Sequence, residues 1–68
     1  MKYDIYAGFL GAEYKETCEF EFYNDAYNYA RKIAQEEYMN LMSEPYNEDM
    51  SSLIDYFVIE YEKNGITD

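Results

Sequence analysis

The order of patterns along the chain predicts an α+β domain: a small three-stranded antiparallel sheet with one helix packed on one face, in ββαβ order. Three observations lead there. Residues 2–22 hold two stretches of period-two alternation, residues 25–42 space apolar side chains as a helix does, and residues 53–61 are dense in β-formers.

The first strand is expected over residues 2–10, with Tyr3, Ile5, Ala7 and Phe9 on one side and Lys2, Asp4 and Tyr6 on the other. Gly8 and the stretch Gly11-Ala12-Glu13 interrupt it as a hairpin turn would. The second strand is expected over residues 14–22. Tyr14, Cys18, Phe20 and Phe22 share a face with Glu16 and should meet the core, while Lys15, Thr17, Glu19 and Glu21 lie opposite. On that reading Cys18 is a small buried hydrophobe rather than a nucleophile.

Asn24 is the expected N-cap, with Asp25 in the first turn, where negative charge suits the helix dipole. Ala26, Tyr27, Ala30, Ile33, Ala34, Tyr38 and Leu41 then form an apolar stripe that runs to about Met42, and Pro45 ends the helix. Residues 43–52 mix Pro, Asn, Ser and acids and read as a loop, with a short turn of helix over 47–50. The third strand covers residues 53–61, and the tail 63–68 should fray.

One face of such a sheet has no helix. In the third strand Ile54, Tyr56 and Val58 take one side and Leu53, Phe57, Ile59 and Tyr61 the other, so both faces are apolar. Tyr6 would join the second face. Either the long loop or the tail folds over it, or Tyr6, Phe57, Ile59 and Tyr61 form a homodimer or partner interface.

Sixty-eight residues allow one domain, 1–68, with a thin core that yields only ~3–5 kcal/mol unless disulfides, metals or oligomerisation add to it. Cys18 is the only cysteine and histidine is absent, which excludes an intrachain disulfide, a Cys/His zinc site and a His-based catalytic arrangement. No cofactor and no enzymatic activity are expected. The hydrophobic content of 49% argues for a folded domain despite a net charge of −10. That charge disfavours direct binding to nucleic acid or to an anionic membrane. The opening Met1-Lys2-Tyr3-Asp4 has no signal-type apolar region, and no apolar run is long enough to span a bilayer, so neither secretion nor membrane insertion is expected.

Residues 33–62 hold eight carboxylates (Glu36, Glu37, Glu44, Glu48, Asp49, Asp55, Glu60 and Glu62) and no Lys, Arg or His. Glu36 and Glu37 are adjacent on a helix and diverge, and Glu48-Asp49 lacks the spacing of a calcium loop, so neither pair makes a metal site. Arg31-Lys32 is the only basic pair, too little for a nucleic-acid groove. Glu36, Glu37 and Glu44 fall toward the C-terminal end of the helix, where each acid costs a few tenths of a kcal/mol against the dipole. Helix stability gives no reason for that placement, whereas recognition of a basic partner does. Glu19 and Glu21 would project from one strand face ~6.7 Å apart. With Glu36, Glu37, Glu44, Glu48 and Asp49 they form the candidate partner-binding set, able to imitate a run of phosphates. The same charges would also serve as a plain solvated face.

The opening Met1-Lys2-Tyr3-Asp4-Ile5-Tyr6-Ala7-Gly8-Phe9, the acidic strand after it, and Asp25-Ala26-Tyr27-Asn28-Tyr29-Ala30 with Glu36-Glu37-Tyr38 resemble a group of short acidic bacteriophage and prophage proteins. The resemblance covers roughly residues 1–40. In size, charge and lack of an active site the chain is similar to phage counter-defence proteins, among them anti-CRISPR proteins and nucleic-acid mimics. This resemblance implies a non-enzymatic inhibitor of a host defence protein, acting in the cytoplasm of an infected bacterium, and brings no site residues with it. The expected function is negative-charge mimicry at a basic, nucleic-acid-binding surface of such a host protein. The alternative is a homo-oligomeric structural or adaptor protein that uses the apolar second face of its sheet.

Overall fold

Alternation in the first segment places Tyr3, Ile5 and Ala7 of strand β1 (Lys2–Phe9) beneath a helix and turns Asp4 and Tyr6 away from it. In a computed structural model, which describes residues 1–61, β1 is followed by β2 (Glu13–Glu19), helix α1 (Tyr23–Met42), a 3-10 helix (Glu48–Leu53) and β3 (Ile54–Glu60). The fold is α+β, with three antiparallel strands in the order β2-β1-β3 and α1 laid across one face. The N-terminal strand is therefore the central one. At the hairpin the Gly11 carbonyl oxygen occupies the space that a Cβ at Gly8 would need, so the tight approach requires glycine there.

The core joins Tyr3, Ile5 and Ala7 of β1 to Ile54 and Val58 of β3 and to Ala26, Ala30, Ala34 and Tyr38 of α1. Three alanines in a row at helical spacing let α1 approach the sheet closely, and Tyr38 fills the space at its far end against Phe9 and Tyr46. Tyr38 is wholly buried, so truncation to Ala would cost about 3–5 kcal/mol, as for other large buried aromatics.

The second strand departs from its expected pattern. Ile5 pairs with Glu16 and Tyr6 with Tyr14, which leaves Lys15 as the extra residue of a β-bulge. Past that point the faces exchange. Tyr14 leaves the core side and is exposed, while Lys15 turns toward α1. Cys18 and Phe20 do pack against the core but remain half-buried, because β2 is an edge strand. The strand ends at Glu19 rather than at residue 22, and Phe22 is exposed.

The helix begins at Tyr23, with Phe22 as an N-cap that makes no side-chain bond; Asn24 already lies inside the first turn. Ring packing sets this start: Tyr23 stacks on Tyr27 at 6.0 Å and meets the edge of Tyr3 at 6.1 Å. Tyr38 is the last buried position of the apolar stripe, and Leu41 is exposed. The turn expected over 47–50 is a longer 3-10 helix, Glu48–Leu53, capped by the Asn47 side chain, which accepts from the Asp49 amide at 2.9 Å. β3 consequently starts at Ile54 instead of Leu53. The fraying expected for residues 63–68 falls outside the described residues.

Candidate functional site

The sheet face away from α1 is built by alternation from all three strands. β1 supplies Lys2, Asp4 and Tyr6, β2 supplies Tyr14, Thr17 and Glu19, and β3 supplies Asp55, Phe57 and Ile59. Tyr61 extends it, since its amide donates to the Lys2 carbonyl at 2.8 Å and continues the ladder. Three rings form a row across the strands. Tyr6 stacks on Phe57 at 4.6 Å with an interplanar angle of 8°, and Tyr14 meets Tyr6 edge-on at 5.7 Å. Phe57, Ile59, Tyr61 and Tyr14 are 40%, 50%, 44% and 55% exposed, so among the described residues the row is an open apolar surface.

A polar chain borders the row. The Thr17 hydroxyl donates to Asp4 Oδ1 at 2.6 Å, which uses its only proton, so the Tyr14 hydroxyl donates to Thr17 Oγ1 at 2.8 Å. This chain holds the Tyr14 ring edge-on to Tyr6. The long connection does not cover the face, because Tyr46, Met50 and Leu53 pack on the helix side against Ala7, Ala34, Tyr38 and Ile54. Covering of this face by the long loop is thereby overturned, while the tail, the other expected cover, lies outside the described residues. The expected interface residues Tyr6, Phe57, Ile59 and Tyr61 are all brought together, and Tyr14, which the bulge redirects, joins them.

The acidic set is dispersed instead. Glu37 is half-buried beside β2 and pairs with Lys15 Nζ at 2.7 Å. Glu48 takes Arg31 at 3.3 Å, and Glu44 accepts from the buried Tyr38 hydroxyl at 3.0 Å. Glu19 lies 3.9 Å from the terminal amine, and Glu21, beyond the end of the strand, does not continue its face. Glu36 points directly away from the sheet, since it is two residues, ~200° of helix, from both Ala34 and Tyr38. Glu21, Glu36 and Asp49 are exposed and make no ion pair among the described residues. The sequence run looked free of bases because its cations come from elsewhere in the chain.

One polar cluster had no signal in the sequence. On the helix side of β2 the Tyr29 hydroxyl donates to Glu16 Oε2 at 2.6 Å. This bond, foremost, pushes the Tyr29 phenol up to about 12 and holds the Glu16 carboxyl below its ordinary value. Burial first, then Glu16, raises the neighbouring Cys18 thiol, so little reactive thiolate forms near neutral pH. Among the described residues no three Cys, Asp or Glu side chains are placed to hold a metal ion, and no helix is long and apolar enough to cross a membrane.

Comparison of the chain with protein-family models, with curated proteins and with solved structures finds no match.

Proposed function

We propose that the chain is a non-catalytic binding protein that docks through the open face of its sheet onto a partner protein apolar at its centre and basic at its rim. The observation that supports this reading is the row Tyr14-Tyr6-Phe57, exposed at Tyr14 and Phe57, extended by Ile59 and Tyr61 and flanked by Asp4 and Asp55, with Glu19 beside Lys2 and the terminal amine. Aromatic rings held by their neighbours anchor interfaces at low entropic cost, and a negative rim selects and steers a cationic partner. Two copies set face to face would bring the same carboxylates together, so a basic partner suits this face better than a copy does. A bacterial defence protein with a basic, nucleic-acid-binding surface has the right chemistry. That choice entails action in the cytoplasm of an infected cell. Glu21, Glu36 and Asp49, exposed and without ion pairs among the described residues, favour a contribution from charge mimicry, whereas Glu37, Glu44 and Glu48 are engaged within the fold.

The test is capture of a partner from bacterial lysate by the tagged chain, followed by binding kinetics with the purified partner. The association rate should fall as salt rises, and Tyr14→Lys should weaken binding while the fold persists. A rate independent of salt, or full binding by Tyr14→Lys, would remove the support for this reading.

A further inference from the structure

Among the described residues nothing pairs with the outer backbone edge of β3. Tyr61 N–H donates to Lys2 and Leu10 N–H to Leu53, and this alternation directs Asp55, Phe57 and Ile59 inward to β1. The N–H groups of Tyr56, Val58 and Glu60 therefore point out of the sheet and have no partner among the described residues. The other edge is protected: β2 is interrupted by its bulge at Lys15 and bordered by Glu13 and Glu19. β3 has no bulge, no proline and no base, and five of its seven residues, Ile-Asp-Tyr-Phe-Val-Ile-Glu, are apolar or aromatic.

We infer that β3 pairs antiparallel with β3 of a second copy, about a two-fold axis at Phe57, to make one continuous six-stranded sheet. The register argues for this occupant. Centring on Phe57 pairs the whole strand with itself, sets Tyr56 opposite Val58 of the copy in a doubly hydrogen-bonded pair, and sets Phe57 opposite Phe57. Asp55 then faces Ile59 and Glu60 faces Ile54, so no carboxylate opposes another although each chain has a net charge of −10. The ring row would run unbroken from Tyr14 of one copy to Tyr14 of the other. A chain of this size gains from such pairing what its thin core does not supply. The inference does not depend on the partner proposed above, since Tyr14→Lys lies two strands from this edge and leaves the dimer intact.

Sedimentation of the purified chain over a range of concentration and salt tests it, together with two variants that change net charge equally. The wild type should approach twice the monomer mass, more readily as added salt screens repulsion. Phe57→Lys sets lysine against lysine across the axis and should weaken the dimer about tenfold or more. Ile59→Lys sets lysine against Asp55 of the copy and should keep or strengthen it by a few-fold. In the wild type, exchange protection of the Tyr56 and Val58 amides should rise with protein concentration. A monomer under all conditions, unprotected amides, or equal weakening by both variants, which would indicate a face-to-face contact, overturns the inference.

Discussion

Tyr29 and Glu16 meet between α1 and β2, and their bond makes the stability of the fold depend on pH at both extremes. The Tyr29 phenol is raised, so its contribution is fully present below the ordinary value of 10.0 and is lost as pH climbs through about 12. The Glu16 carboxyl is lowered, so its contribution is present above the ordinary value of 4.5 and is lost as pH falls through the lowered one. Titration of ring-labelled tyrosines by NMR should show Tyr29 deprotonating near 12, and Glu16→Gln should bring it back toward 10.0. An unmoved Tyr29 in that variant would refute the assignment. Nothing in the sequence marked which of the ten tyrosines holds a carboxylate. That pairing depends on two elements meeting, thirteen residues apart in sequence.

At the level of elements, two ends are held in a left-handed conformation by residues that resist it. Leu10, in the β1–β2 turn, has φ 60°, and Ser43, closing α1, has φ 57° while its amide donates to the Met39 carbonyl. For L-residues that region costs roughly 1–2 kcal/mol, partly offset on mutation by the greater unfolded-state freedom of glycine. Ser43→Gly and Leu10→Gly should each stabilise by about 0.5–1 kcal/mol. Urea unfolding measures this, and a lowered midpoint in both variants would contradict it. The strands and helix were legible in the sequence because periods of two and 3.6 are properties of one element. The bulge was not, since Lys15 becomes an extra residue only when Ile5 and Tyr6 are set opposite it. The helix start was missed for a related reason. Asn24 is the better cap by local chemistry, but ring contacts of Tyr23 with Tyr3 and Tyr27 prevail.

Across the whole molecule, charge and topology set the behaviour. Fifteen acids against five bases make the compact state repel itself, while its surface ion pairs contribute only ~0–1 kcal/mol each. Added sodium chloride should therefore raise the thermal midpoint, at a concentration low enough to keep the chain monomeric; a midpoint that falls with salt would mean that the pairs of Lys15 and Arg31 outweigh the repulsion. The apolar second face was readable from β3, whereas the neutralisation of Glu37 and Glu48 was not, because it needs the tertiary approach of Lys15 and Arg31. The order β2-β1-β3 was equally hidden, since nothing local says which neighbour the last strand takes. That order has a kinetic consequence. The pairing of β1 with β2 closes over residues 10–12, but its pairing with β3 closes over residues 10–53, a difference of roughly 2 kcal/mol in closure entropy. The hairpin should thus form first, with one side of β1 bare, and the strand that arrives last can be supplied by another chain. Crowded refolding therefore exposes this protein to exchange of β3 between molecules, a misassembly that the same central position of β1 makes possible.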